Sequence, residues 1–434
     1  MTPIIFHIDV NSAFLSWTSV DNLENNHGDG IDLRTIPAII GGDQENRHGI
    51  VLAKSESAKT FGIHTGEPVV SALRKCPFLT MQPPNHKLYH EYSQKMMNLL
   101  HTYTPDIEQL SIDECFLDFT PIAARYSSPL EAATIIKEDI KSRFHFTVNI
   151  GIANNKLLAK MASDFKKPDR IHTLFKDEIP LKMWPLPVDD LYMVGHSSAE
   201  RLKSFGIRTI GELAHTDTDF LQREFKSHGI QMWEYANGID HSIVDSAKHE
   251  LKGIGNSITL GEDINDFDSA KQVLLSLSET VSERLRNSRQ LAQNITVEIK
   301  YSDFSSNSHQ MPLFSPTNTT KSIYEASCQL FLELWNKRPL RLLGIRTGKL
   351  LPEDAPIQMN IFDFTDTTTT SKQPSEEKSV STSCKTNQDT HKRLQQLDAA
   401  VDAIRLRYGK NAIVRGSLLT SFPGDKKENS SKKN

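Results

Sequence analysis

Cysteine is scarce in this chain: 4 in 434 residues. Cys76, Cys115, Cys328 and Cys384 stand far apart, with no Cys-x-x-Cys pair. That spacing argues against a zinc site and against a disulfide framework, and it fits a reducing compartment. A basic surplus is also missing. The formal net charge is −4, so any contact with nucleic acid must come from local positive patches rather than bulk charge. No apolar run is long enough to span a bilayer, which excludes a helical membrane protein. The first residues lack a basic segment followed by an apolar core, so no secretory signal is expected. A cytoplasmic protein of roughly two to four domains is the expectation.

What the chain does have is a pair of adjacent acids, Asp113-Glu114, in the run Gln109-Leu-Ser-Ile-Asp-Glu-Cys-Phe-Leu-Asp-Phe119. Apolar residues flank the pair on both sides: Ile107, Leu110 and Ile112, then Phe116, Leu117 and Phe119. The pattern predicts two short strands joined at the carboxylates. Neighbouring side chains of a strand point to opposite faces, so adjacent acids converge only at a turn. Such a turn attracts a divalent cation; a solvated hairpin is the plainer alternative. A second acid has a similar context. Ile4-Ile5-Phe6-His7-Ile8-Asp9 reads as a buried strand ending in a carboxylate, with Asn11 or Ser12 as the cap of a following helix. Asp9 either caps that helix or faces a ligand at the strand end. Two acid clusters at strand ends, far apart in sequence, suit two-metal phosphoryl chemistry.

The runs Ile8-Asp-Val-Asn-Ser-Ala-Phe14 and Ser111-Ile-Asp-Glu-Cys-Phe116 resemble the two catalytic motifs of Y-family translesion DNA polymerases, nearest to the bacterial DNA polymerase IV type. The resemblance extends from about Met1 to about Leu351. It implies an α+β multidomain fold, a right-hand polymerase with palm, small fingers, helical thumb and βαββαβ little finger, plus a flexible C-terminal tail. The implied boundaries are 1–12 and 83–174 for the palm, 13–82 for the fingers and 175–240 for the thumb with a helix-hairpin-helix. The little finger would take 241–352, a linker with a clamp-binding peptide 353–390, and a C-terminal helix and tail 391–434.

The residues support that outline independently. Strands are predicted at Leu33–Ile40 and Gly49–Lys54, and helices at Ser55–Phe61, His86–Tyr103 and Pro129–Phe144. Asn154 or Asn155 caps a helix carrying Lys156, Lys160, Lys166 and Lys167, stopped at Pro168. A solvated face is the simpler account of those lysines. Gly195 opens a short helix that ends at Gly206, in the manner of a hairpin gripping phosphates through backbone N–H groups. From Gly255 to Leu351 the order is strand, helix, two strands, helix, strand, with helices at Asp268–Gln290 and Lys321–Lys337. Arg338, Arg341, Arg346 and Lys349 are candidate DNA contacts there, with a solvated charged strand as the alternative. Gln358, Ile361 and Phe362 form a Gln-aliphatic-aromatic peptide within a Thr-, Ser-, Lys- and Glu-rich linker, similar to sliding-clamp-binding peptides; a short apolar stretch packed back on its own domain is the plainer alternative. A helix at His391–Tyr408 and a strand-like Ala412–Leu419 follow, with no function read for them.

By resemblance, Asp9, Asp113 and the Val10 carbonyl hold two Mg²⁺ ions, and Glu114 completes the acidic centre beside the primer end. Phe14 would stack under the sugar and exclude a 2′-hydroxyl, while Lys59 and Lys167 would meet the triphosphate. Gly195, Arg341 and Arg346 would contact DNA. Partners would be primer-template DNA, deoxynucleoside triphosphates and the sliding clamp, for a monomer associated with the bacterial nucleoid. The implied activity is Mg-dependent, DNA-templated, low-fidelity nucleotide addition in damage tolerance. The alternative is a non-catalytic DNA- and clamp-binding accessory protein with the same fold. One departure stands out. Where many relatives carry Tyr and Arg, this chain has Glu56 and Lys59, and Lys lacks the bidentate fork of Arg. The polymerase V catalytic-subunit branch tends to carry an acid and a Lys there.

Overall fold

The apolar run near the start of the chain becomes the centre of a sheet. The computed structural model describes residues 2–25, 30–42, 49–247, 251–355 and 382–418, with side chains in the last stretch from residue 393. The chain divides into two compact units, the first ending at about residue 248. The first unit contains β1 (Ile5–Val10), α1 (Ala13–Glu24), β2 (Ala38–Gly41), β3 (Val51–Lys54), α2 (Glu56–Thr60), α3 (Val69–Lys75), β4 (Thr80–Gln82) and α4 (His86–Leu100). It continues with β5 (Ile107–Gln109), β6 (Glu114–Asp118), α5 (Pro129–Phe144), β7 (Val148–Ala153), α6 (Lys156–Asp164) and β8 (Ile171–Thr173). Five further helices close it: α7 (Ile179–Lys182), α8 (His196–Ser204), α9 (Ile210–Ala214), α10 (Thr218–Phe225) and α11 (Ser227–Ala236).

Five strands form one mixed sheet in the order β5-β6-β1-β7-β8. β1 lies between β6 and β7, antiparallel to both. Its alternation sorts the two faces. Phe6, Ile8 and Val10 share a core with Tyr89 and Met96 of α4 and with Ile136 and Ile140 of α5. Ile5 joins Leu157, Leu158 and Met161 of α6 in a second core. His7 and Asp9 follow Ile5 on that face. α6 begins where Asn155 accepts a hydrogen bond from the Leu158 N–H at 2.9 Å, a cap of the ordinary kind. It then runs so close to β7 that a Cβ on Gly151 would stand 1.9 Å from the Ala159 carbonyl oxygen. No side chain fits there.

The cap expected for α1 is absent. Ser12 occupies the N-cap position with φ 47° but makes no side-chain cap bond, and the Asn11 amide is engaged elsewhere. Residues 33–37, expected as strand, are turn and bend, and only Ala38–Gly41 pairs, in a second sheet of order β3-β2-β4. Three residues of β4 complete that sheet, too few to leave a periodic signal.

The second unit contains β9 (Gly253–Ile264), α12 (Phe267–Asn287), β10 (Gln290–Tyr301), β11 (Ser306–Thr317), α13 (Thr320–Leu334), β12 (Leu340–Pro352) and α14 (Thr382–Tyr408). The antiparallel sheet has the order β11-β10-β12-β9. Ile295, Val297, Ile299, Leu343 and Ile345 pack under α12 and α13, which leaves Arg346 exposed on the other face. Arg341 sits at a register shift of β12, its guanidinium 4.7 Å from the Phe304 ring centre. Arg338 is ion-paired with Asp303 and so is not a free phosphate contact.

The C-terminal helix docks on this unit through charge. Arg286 of α12 grips Asp402 at 2.6 and 3.0 Å. Glu279 accepts from Arg405 at 3.0 Å and Arg415 at 2.6 Å. Asp398, buried, accepts the Thr320 N–H at 2.8 Å. Thr319, at the N-cap of α13, makes no side-chain cap bond, so Asp398 supplies that helix terminus from far along the chain. The strand expected at Ala412–Leu419 does not form in its described part. The segment turns, and Gly416–Leu418 is a short 3₁₀ helix. Its β-branched residues lack a strand edge to pair with, and the Ile413 carbonyl accepts from Arg405 instead. Gln358, Ile361 and Phe362 lie outside the described residues.

Candidate active site

Two strand ends bring the acids together. β5 and β6 form the hairpin expected around Asp113-Glu114, closed by the Leu110 N–H on the Glu114 carbonyl at 3.1 Å. β1 then pairs with β6 so that Asp9 stands opposite Glu114. The Val10 N–H donates to the Asp113 carbonyl at 3.0 Å. Asp9, Val10 and Asp113 therefore line one open cleft of about 290 Å³, with Asn11, Phe14, Lys54, Glu56 and Lys167 also on its walls. Ser111 donates to Asp113 at 2.6 Å and holds its carboxylate in place.

Positive charge on this floor is short of the negative. Lys167 is ion-paired with Asp9, and it also meets Asp164 at 2.8 Å. One ammonium shared by two carboxylates keeps its own proton: burial works against the charge, yet Asp9 and Asp164 together raise the Lys167 pKa. Asp9 is left under-compensated. Burial is the largest influence and pushes its pKa up against the pull of Lys167 and His7, and the charge of Asp113 adds to the rise.

Glu114 has other partners. Its carboxylate accepts from Lys160 at 2.5 Å and bonds the buried His7 ring at 3.1 Å. It does not line the cleft. Burial would raise its pKa, but His7 and Lys160 outweigh that and hold it at about 2. The expected three-carboxylate cluster is accordingly not assembled: among the described residues, no group of three or more His, Cys, Asp or Glu side chains is placed to hold a metal ion. Asp9 and Asp113 share the cleft, and Glu114 is turned to α6.

Phe14 lines the cleft and is stacked on Tyr89 with ring centres 4.3 Å apart. It is both a cleft wall and part of the aromatic core. Lys167 is in the cleft. Lys59 is not; it lies beside Glu56 at 3.8 Å with both side chains more than half exposed. Lys54 lines the cleft instead, with no ion pair to another described residue. The family resemblance pointed to Lys59, but strand alternation could have found Lys54: Val51 and Ala53 are buried, so Leu52 and Lys54 share the other face. Gly195 is the exposed N-cap of α8, without a side-chain cap.

Glu114 has a defined effect on acid stability. Its folded pKa of about 2 lies below the ordinary 4.5, so its ionised form stabilises the fold above pH 4.5, a contribution lost as pH falls from 4.5 toward 2. In metal-free protein, Tm should fall more steeply across that window for the parent than for Glu114→Gln. Parallel curves would show that Glu114 is not held by His7 and Lys160.

Residues 8–164 match the model of the impB/mucB/samB family, and residues 251–361 match that family's C-terminal domain. Residues 176–207, which include Gly195, match the IMS family HHH motif. DNA polymerase IV of Clostridium acetobutylicum is 44% identical over 419 residues, covering 96% of this chain and 99% of that protein. DNA polymerase IV 1 of Bacillus subtilis is 39% identical over 364 residues, covering 83% and 86%. A solved Y-family DNA polymerase chimera has a TM-score of 0.69 at 22% identity, covering 80% of this chain and 99% of its own; at that identity the likeness speaks to the fold. On extent and identity together, the chain belongs to the impB/mucB/samB family, the Y-family of DNA polymerases.

Proposed function

We propose that this protein adds deoxynucleotides to a primer 3′ end under template direction, with Mg²⁺, in low-fidelity synthesis across damaged DNA. The observation that carries the reading is the pair Asp9 and Asp113, facing one open cleft with too little positive charge of its own. In this reading the five-stranded sheet is the palm, the three-stranded sheet the fingers, α7–α11 the thumb and the second unit's sheet the little finger.

The donor set fits a hard divalent cation. Asp9, Asp113 and the Val10 carbonyl would supply oxygen ligands in a cleft open enough for a nucleotide's phosphates. Mg²⁺ held by Asp9, Asp113 and the Val10 carbonyl would supply Lewis acidity toward the attacking hydroxyl and the departing pyrophosphate. The chain's own groups position and neutralise. Glu114, outside the cleft and kept ionised at neutral pH by His7 and Lys160, would join the acidic centre by exchanging those partners for the metal side of the strand end opposite Asp9. Lys167 and Lys54 offer ammonium groups to the triphosphate. Phe14, braced by Tyr89, forms a flat wall under the sugar. The bare N-terminus of α8 at Gly195, together with Arg341 and Arg346, meets the DNA backbone.

Asp113→Ala should lower primer extension by roughly two to three powers of ten; equal extension by variant and parent would refute the polymerase reading in favour of a non-catalytic accessory protein. Phe14→Ala should admit ribonucleotides in single-nucleotide insertion, and unchanged discrimination would remove Phe14 from the sugar wall. For the partner, we infer that Gln358, Ile361 and Phe362 bind the sliding clamp. Replacing Ile361 and Phe362 by Ala should abolish clamp pull-down and spare unassisted extension; retained pull-down would sink that assignment.

A further inference from the structure

We propose that Asn149 is a positioning residue for nucleotide binding: it pins the backbone on both sides of Lys167 so that only that side chain moves between Asp9 and the triphosphate. The proposal rests on the reading that Lys167 meets the triphosphate.

Asn149 lies on β7 directly opposite Asp9 and is fully buried. Its amide donates to the Ser163 carbonyl at 2.9 Å and to the Lys166 carbonyl at 2.8 Å. Its oxygen accepts from the Arg170 N–H and from the Asn11 amide, both at 3.1 Å. An Asn side chain has two donor hydrogens and two acceptor sites, and all are used. Three of the four partners belong to the segment that carries Lys167.

The other anchors converge on the same segment. Asn11 accepts from the Asp169 N–H and from the Thr147 hydroxyl, both at 2.9 Å. The Asp169 carboxylate sits between Lys137 at 2.7 Å and Lys141 at 2.8 Å, both on α5. The chain is thus tied at Ser163, Lys166, Asp169 and Arg170, and Lys167 is the residue whose side chain leaves this frame for the cleft. A fixed root lets the ammonium exchange one anionic partner for another without ordering any backbone, which is the saving that preorganisation provides. A buried amide serving only stability would not need to concentrate its bonds on the residues flanking a cleft lysine.

The test is steady-state single-nucleotide insertion by the full chain on primer-template DNA. Asn149→Ser and Asn149→Asp, each losing donors to the two carbonyls, should raise KM for the deoxynucleotide about tenfold with kcat within about twofold. Lys167→Ala should also raise KM, and adding Asn149→Ser to it should raise KM no further, because residues acting through one contact are not additive. KM effects that multiply, or a fall in kcat with KM unchanged, would overturn the proposal. If Lys167→Ala leaves KM unchanged, the triphosphate reading of Lys167 fails, and this proposal with it. If Lys167→Ala raises KM and Asn149→Ser does not, this proposal fails alone. Should the Asn149 variants not fold, the double change Lys137→Met and Lys141→Met, on α5 and outside the cleft lining, releases the Asp169 tie and is judged by the same KM criteria.

Discussion

The approach of α6 to the sheet governs the rest of the first unit. With no side chain at Gly151, the Ala159 carbonyl closes on β7, and three lysines of α6 and its continuation arrive over the acids. Lys156 meets Glu108 at 2.7 Å, Lys160 meets Glu114, and Lys167 meets Asp9. Moving α6 outward by the width of a methyl group would separate all three pairs at once. The same approach buries His7 between Ser163 and Glu114. Packing and electrostatics are therefore one constraint here: a glycine in a strand sets the charge balance of a cleft several residues away.

That balance explains how a chain of net negative charge can serve a polyanionic substrate. Nearly every lysine near the floor has an acidic partner within the protein, so the fold is not held open by repulsion. The surplus that matters is local and negative, on Asp9 and Asp113, and it suits cations brought in with a nucleotide. Lys54 alone among the cleft lysines described lacks an ionic partner, and it stands on the smaller three-stranded sheet rather than on the acid-bearing one.

The parts legible in the sequence were those whose signal is local. Asp113-Glu114 announced a turn because apolar residues flank it. The expected bounds of α5 coincide with the observed Pro129–Phe144 because Ser128 and Pro129 mark its start and the chain turns left-handed at His145. The βαββαβ order of the second unit was carried by long alternating strands and amphipathic helices. What failed was non-local. The resemblance pointed to Lys59, but burial of Val51 and Ala53 on one face of β3 leaves Lys54 on the face toward the cleft. Nothing near Glu114 in the chain foretold His7 and Lys160, which reach it through strand register and helix packing. The Asn149 hub was equally silent, since a lone polar residue in an apolar strand does not show which carbonyls it will find. Ala412–Leu419 looked like a strand by composition, yet composition does not supply a neighbouring edge.

The dependence of α13 on Asp398 has a consequence in time. A protein is made from its N-terminus, and domains tend to fold as they emerge. The sheet and both helices of the second unit are synthesised by residue 352. The acceptor for the first turn of α13, the acids that hold Arg286 and the arginines that neutralise Glu279 all come later, between Asp398 and Arg415. The domain's charge network can close only after the segment through Arg415 has been made, so the sheet and helices of the second unit wait, with their acids and arginines unpaired, for a piece of chain that follows them by more than forty residues.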